Sequence, residues 1–263
     1  MDLTWVHVVL LISSGLIVGF VNTLAGGGTV ISLFVFMLLG LPPNMANGTN
    51  RIAVFLQNIT AVVNFSQQKI IDWQKAFRLA IPIIIGSLFG ALFANKLPNE
   101  LFRYVFGTAI VLFALLLIFQ PNRWLKNQDQ IPNVKIKWYH YLIFFVIGIY
   151  GGFLHVGIGY MILFALILGL GCDLVRANAL KNFLVMAYIP FSLVIFIFQG
   201  NVCWTYGLIH AIGNIIGAQI GAMLAIKKGA PLIRWMMIIL IFVVILQLFG
   251  FIDPTVFADW LKN

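Results

Sequence analysis

The sequence predicts an all-α polytopic membrane protein that is built from two inverted repeats. Three observations lead to this prediction: the composition, a series of long apolar segments, and a match between the two halves of the chain. Hydrophobic residues make up 62% of the 263 residues and charged residues only 9%, with a mean hydropathy of +1.04. This apolar surface exceeds what a soluble domain of this length could bury. We therefore expect the chain to lie in a lipid bilayer.

The apolar segments set the expected helices. Crossing a bilayer takes about 20 residues, so a segment of about a dozen residues is too short to span. Two of the ten segments, 29–40 and 159–170, are that short, and each follows a long one. No Lys or Arg precedes the first segment, which favours a membrane helix over a cleaved signal. The ten segments are 6–24, 29–40, 47–66, 76–94, 101–119, 139–154, 159–170, 178–198, 205–225 and 232–250.

The two halves match at a constant offset of 131 residues. Paired Trp, Asn, Lys and Arg are harder to obtain by chance in such a chain than paired Leu or Ile, so an internal duplication is the best explanation. Duplications of this kind are typical of transporters. We divide the chain into a first repeat (1–119), a polar linker (120–138) and a second repeat (139–263). The matched pairs are Gly28 and Gly159, Asn47 and Asn178, Trp73 and Trp204, Gly86 and Gly217, Gly90 and Gly221, Lys96 and Lys227, and Arg103 and Arg234.

The distribution of cations predicts how the repeats are oriented. If each short segment and the one before it form a hairpin that enters the membrane and returns, each half adds three crossing helices and the halves are inverted. If every segment crosses, the halves are parallel. The hairpin arrangement places 12 of the 16 Lys and Arg residues on one face, whereas the parallel arrangement divides them equally. Cytoplasmic loops carry the excess of cations. We therefore expect inverted repeats, a cytoplasmic linker and both termini outside.

Glycines lie at the tips of both predicted hairpins, in "AGGGT" (25–29) and "HVGIG" (155–159). Backbone that leaves a helix inside a membrane has to line a cavity or be buried in protein. Each tip precedes a helix whose first N–H groups and dipole favour an anion. We expect the tips to meet near the bilayer middle and form an anion site. The alternative, which is compatible with the first, is that the glycines only permit tight turns and helix packing. The candidate residues are Gly26, Gly27, Gly28, Thr29, His155, Gly157 and Gly159.

A second set of polar residues follows each hairpin, in "NGTNR" (47–51) and "NALKN" (178–182). A cation at the start of a helix opposes the helix dipole, so Arg51 and Lys181 do not serve their own helices. Their recurrence within one residue at the repeat offset favours binding of an oxyanion through charge-assisted hydrogen bonds. The alternative is that each extends to a lipid headgroup. The neutral donors expected beside these cations are Asn47, Thr49, Asn50, Gln57, Asn178 and Asn182.

These motifs resemble a known family. "GFVNTLAGGGTVISLFVFMLLGLPPNMANGTNRIAVFLQN" (19–58) resembles the first repeat of the TauE/SafE family of sulfite and organosulfur anion exporters, and "GIYGGFLHVGIG" with "RANALKN" resembles its second. The resemblance covers essentially the whole chain. It implies an inner-membrane permease for small anions such as sulfite or sulfoacetate. Relatives often carry an acidic residue before each tip, where this chain has Asn22 and Gly151, so the resemblance does not extend to proton coupling through those carboxylates.

A polytopic membrane protein can be a transporter, an enzyme or a channel. A secondary permease fits the repeats, the broken helices and the polar groups near the midplane. An enzyme would require a nucleophile with its base or paired carboxylates, and the seven acidic residues fall almost wholly in loops or ends. A passive anion channel, or a permease for small carboxylates without sulfur, stays open. We expect no cofactor and no metal. We also expect no nucleic acid, because the cations form no patch with interleaved aromatics. The sequence does not predict the direction of transport, the coupling ion or whether the chain forms a homo-oligomer.

Overall fold

The computed structural model describes the backbone of residues 3–94 and 134–248, and the side chains up to residue 239. Within these ranges the protein consists of α-helices and short connections, and it contains no strand. The predicted segment 101–119 lies outside the described residues, as does most of the linker 120–138.

Four helices form the described part of the first half. Thr4 and Asp72 cap two of them, since their side chains accept hydrogen bonds from the backbone N–H groups of His7 and Lys75. The third helix begins earlier than its apolar run suggests, at Pro43, because proline fits the first turn of a helix. The helices are α1 (Trp5–Leu24), α2 (Thr29–Leu38), α3 (Pro43–Gln67) and α4 (Trp73–Phe93).

The described part of the second half also has four helices. Asp173 caps the third of them by accepting hydrogen bonds from the N–H groups of Val175 and Arg176. The last helix unites the two predicted segments 205–225 and 232–250, with a break at Gly229, whose φ is 65°. The helices are α5 (Trp138–Phe153), α6 (Ile158–Phe164, continued by a π-helical turn, Ala165–Gly169), α7 (Leu174–Phe198) and α8 (Trp204–Leu248).

The helices recur at the offset of 131 residues that the sequence predicts. The bounds of α3 become those of α7, and the first residue of α4 becomes the first residue of α8. The short helices α2 and α6, with its π-helical turn, also occupy corresponding positions.

Within residues 3–94 and 134–248, four helices are long and apolar enough to cross a membrane: α1, α4, α7 and the Trp204–Ile239 part of α8. Leu, Ile and Phe side chains on their outer faces are exposed, as expected for surfaces that face lipid. The ten residues of α2 and the seven of α6 are too few to cross, which confirms the prediction from the short segments. The chain is therefore a multi-pass membrane protein.

Glycines allow helices of the two halves to pack closely. An added Cβ at Gly213 or Gly217 of α8 would collide with backbone of α1, and one at Gly86 or Gly90 of α4 would collide with backbone of α5. Small residues four apart let helix backbones approach in lipid. In each pair, residues farther along one helix contact residues farther along the other. Helix α1 therefore runs parallel to α8, and α4 runs parallel to α5.

Helix α3 lies between helices of the second half. Near its start Thr49 contacts Cys203, and near its end Asn64 contacts Gln219, so α3 runs parallel to α8. In contrast, Gly48 near the start of α3 lies against Phe196 near the end of α7. Val54 and Gln57, farther along α3, share a cavity with Lys181 and Val185 near the start of α7. Helices α3 and α7 are therefore antiparallel.

Candidate functional site: a cavity beside the glycine tips

The two glycine-rich tips touch each other through Gly26 and Gly159. A Cβ added to Gly159 would lie 2.5 Å from the Cα of Gly26, and one added to Gly26 would lie 2.6 Å from the Cα of Gly159. Gly26 also has a φ of 88°, which only glycine adopts readily. The repeat offset pairs Gly159 with Gly28, but the residue that Gly159 meets in space is Gly26. Backbone packing between the tips therefore accounts for these two glycines.

A small cavity lies beside this contact, with room for about one water molecule. An anion the size of sulfite therefore requires the surrounding helices to move apart. None of the lining residues is acidic, and Lys181 supplies a cation. The lining residues are Asn22, Gly26, Val54, Gln57, Asn58, His155, Ile158, Gly159, Lys181 and Val185.

Asn22 organises the first tip. Its Oδ1 accepts a hydrogen bond of 2.7 Å from the N–H of Gly28, and its Nδ2 lies 3.5 Å from both Thr29 Oγ1 and Gln57 Oε1. The N–H of Gly28 is one of the groups that we expected to face an anion. Because a side chain of the same tip already binds it, the first turn of α2 offers a ligand less than its position suggests.

His155 supplies the second tip with a side chain that lines the cavity. The Tyr188 hydroxyl lies 2.5 Å from His155 Nδ1 and fixes the orientation of the ring. Nε2 is then the ring nitrogen left for a ligand in the cavity. Tyr188 lies on α7 at the position that corresponds to Gln57 on α3 at the repeat offset, so both halves place a polar side chain there.

Lys181 is buried, with 1% of its surface exposed. Its Nζ donates hydrogen bonds to the carbonyl oxygens of Asn22 (2.8 Å) and Thr23 (3.1 Å), at the carboxyl end of α1. Carbonyls at a helix end lack partners within the helix, and the dipole there favours a cation. Since Nζ has three hydrogens and Lys181 also lines the cavity, this ammonium group can serve the helix end and an anion together.

Arg51 has the corresponding role in the other half. It is fully buried, and its two terminal nitrogens donate to the carbonyls of Gly151 (3.1 Å) and Gly152 (2.7 Å) and to Ser192 Oγ (2.8 Å). The guanidinium also lies 4.4 Å from the centre of the Phe196 ring. Each cation thus binds the end of the first helix of the opposite half. Neither reaches a lipid headgroup, so that alternative is wrong for both. Arg51 does not line the cavity.

The other predicted residues are distributed around this centre. Asn47 and Asn182 donate to the carbonyls of Phe153 and Thr23, so they also bind the two helix ends. Thr49 accepts a hydrogen bond from the N–H of Cys203, and Gly27 lies against Tyr160. Gly157, with a φ of 72°, forms the turn before α6.

Sequence reasoning missed Asn22, Asn58 and Tyr188 as site residues. Tyr188 is the counterpart of Gln57 in the second repeat, so the repeat offset could have identified it, whereas the offset pairs Asn58 with Ile189 and gives no such signal. Asn22 is a polar residue in an apolar segment, three positions before the first tip. That position was a signal that its side chain has a defined role beside the tip.

Comparisons with known proteins identify the family and several relatives of the chain. The family model described as "Sulfite exporter TauE/SafE" matches residues 11–248. A "Probable membrane transporter protein ORF9" from Sinorhizobium sp. is 26% identical over 97% of this chain and 96% of its own length. A "Probable membrane transporter protein" from Haemophilus influenzae is 27% identical over 87% of this chain and 89% of its own length. The "Probable membrane transporter protein YfcA" of Escherichia coli (strain K12) is 25% identical over 85% and 82%, respectively. No solved structure matches the chain.

Proposed function

Because this chain belongs to the TauE/SafE family of membrane transporters, we propose that it is a secondary permease for small anions in the inner membrane. The substrates are sulfite, organosulfonates or related oxyanions. One observation carries this proposal: a buried ammonium group, Lys181, lines a central cavity that has no acidic residue in its lining. A buried cation that has no acidic partner among the residues the structure describes favours an anion as its partner.

The anion would lie between Lys181 Nζ and His155 Nε2. Asn22, Gln57 and Asn58 line the same cavity and supply neutral polar groups. Charge-assisted hydrogen bonds of this type are short and strong in a site that excludes water. The tips at Gly26 and Gly159 form one wall, so their separation is the movement that would open the site.

The helix directions support inverted repeats. Helices α3 and α7 correspond at the repeat offset, and they run antiparallel. Two copies related by an axis along the membrane normal would point the same way, whereas copies related by an axis in the membrane plane point in opposite ways. In this arrangement both termini lie outside and the linker lies in the cytoplasm, in agreement with the distribution of cations.

Single-cysteine labelling tests this topology. The native Cys172 and Cys203 are replaced by alanine, and Leu3→Cys or Gln128→Cys is added. We expect a membrane-impermeant thiol reagent to label the Leu3→Cys variant in intact cells, because residue 3 precedes α1 on the outer side. The Gln128→Cys variant should be labelled only after the membrane is opened. Labelling of both positions from the same side would contradict the inverted arrangement.

Flux measurements in proteoliposomes test the permease itself. We expect saturable uptake of sulfite or sulfoacetate that is accelerated by the same anion on the opposite side, because a permease exchanges its site between the two faces. Protein-free vesicles are the control, and sulfate and simple carboxylates complete the panel. Uptake that does not saturate and shows no acceleration would indicate the passive channel instead. Preferential uptake of carboxylates would overturn the sulfur-anion assignment.

A further inference from the structure

Asn50 of α3 and Asn178 of α7 share an unusual property. Among the buried side chains that the structure describes, these two amides have neither an oxygen nor a nitrogen with a hydrogen-bond partner. Both residues are fully buried. An amide that is buried without partners costs free energy, so such groups are ordinarily satisfied by water or by a ligand. Each of these residues therefore requires a polar partner from outside the protein.

Both amides lie on the helix faces that line the central cavity. Asn50, Val54 and Gln57 follow the spacing i, i+4, i+7, which places Asn50 one turn from the cavity wall on the same face of α3. Asn178, Lys181 and Val185 follow the spacing i, i+3, i+7 on α7. Each helix thus continues the polar lining of the cavity by one turn.

The two extensions leave the cavity in opposite directions. Both amides precede the cavity-lining residues of their own helix, and the two helices are antiparallel. Asn50 lies near the beginning of α3, where Arg51 donates a hydrogen bond to Ser192 on α7. Asn178 lies closer to the beginning of α7 than Lys181 and Asn182, which bind the end of α1.

We propose that Asn50 and Asn178 mark the two halves of the anion's route, one on each side of the cavity. The inference rests on the proposed permease function and extends it from a site to a path. Amide N–H groups suit the oxygens of sulfite or a sulfonate, and they hold the anion less strongly than a cation would, so it can leave. With the termini outside, Asn50 faces the outer solution when its side opens, and Asn178 faces the cytoplasm.

Cysteine accessibility tests the route. Asn50→Cys and Asn178→Cys are made singly in the protein in which Cys172 and Cys203 are alanine. Ile52→Cys and Ala179→Cys serve as matched controls, since both residues are buried close by but face Gly207 of α8 and the hydrophobic core, respectively. The probe is a membrane-impermeant methanethiosulfonate, applied to right-side-out and inside-out vesicles with and without sulfite.

We expect the Asn50→Cys variant to react only from outside and the Asn178→Cys variant only from the cytoplasmic side. Each should react at least about tenfold faster than its control, which is reached only through rare local unfolding. Sulfite should slow both reactions. Reaction from the same side, or at the rate of the controls, would overturn the route. Because sulfite flux through the cysteine-free protein is measured separately, this result differs from failure of the permease proposal.

A second pair of variants covers the case in which a cysteine variant does not reach the membrane. Asn50→Asp and Asn178→Asp keep the shape of the side chain but place a carboxylate on the route. Like charges repel at short range, so we expect anion flux to fall at least about tenfold in each. Wild-type flux in both aspartate variants would overturn the route.

Discussion

Replacing Lys181 by glutamine is expected to reduce sulfite flux at least about tenfold while the protein still inserts in the membrane. A charged hydrogen bond is worth about 1.5–3 kcal/mol, and each 1.4 kcal/mol corresponds to about tenfold in affinity. The glutamine amide can still donate to the carbonyl of Asn22, so part of the contact with the end of α1 is retained. Initial rates of flux and the sulfite affinity of purified protein measure the effect.

Two variants separate this effect from general damage. Arg176→Gln removes a half-exposed cation from the same helix, and we expect flux close to that of the wild type. Arg51→Gln removes a cation that binds protein groups and does not line the cavity. It should lower the thermal unfolding temperature more than the sulfite affinity. Wild-type sulfite affinity in Lys181→Gln would leave Lys181 as a helix cap without a role in binding.

Replacing Gly159 by alanine is expected to destabilise the folded protein, because the new methyl group would lie 2.5 Å from the Cα of Gly26. Backbone cannot rotate away as a flexible side chain can, so the two tips have to separate. Overpacking of this kind costs about 1–3 kcal/mol. A lower unfolding temperature in detergent and faster proteolysis should accompany the substitution, whether or not sulfite is present.

Gly169→Ala provides the matched control on the π-helical turn after α6. A Cβ there would lie 3.5 Å from the His140 ring, which is an ordinary contact. We expect its unfolding temperature to remain close to that of the wild type. If Gly159→Ala were equally stable, the tips would not be in contact in the membrane. Loss of sulfite affinity at unchanged stability would instead assign Gly159 to the substrate, as the glycine motif first suggested.

Much of the fold could be predicted from local features of the sequence. The length of the apolar runs identified α2 and α6 as helices too short to span, since the thickness of a bilayer sets that limit. The glycine runs identified both tips. Matched residues such as Asn47 and Asn178 predicted the repeat, and the bounds of α3 and α7 follow the same offset.

The partners of the buried cations could not be predicted in this way. The repeat offset compares a residue with its counterpart, whereas Arg51 and Lys181 bind groups of the opposite half. Those groups are backbone carbonyls, which every residue has and which leave no mark on the sequence. The same limit applies to Gly26 and Gly159, whose contact is between two backbones.

Each half of the protein supplies the cation that binds a helix end of the other half, and this affects how the protein folds during synthesis. Asn22 leaves the ribosome 159 residues before Lys181, the residue that satisfies its carbonyl group. The glycine tip lacks its backbone neighbour until Gly159 on α6 has been inserted, and the end of α1 lacks its cation until α7 has been inserted. In the nascent first half, the carbonyl groups at the end of α1 therefore lack the hydrogen bonds from Lys181. These native contacts form only after much of the second half has been translated.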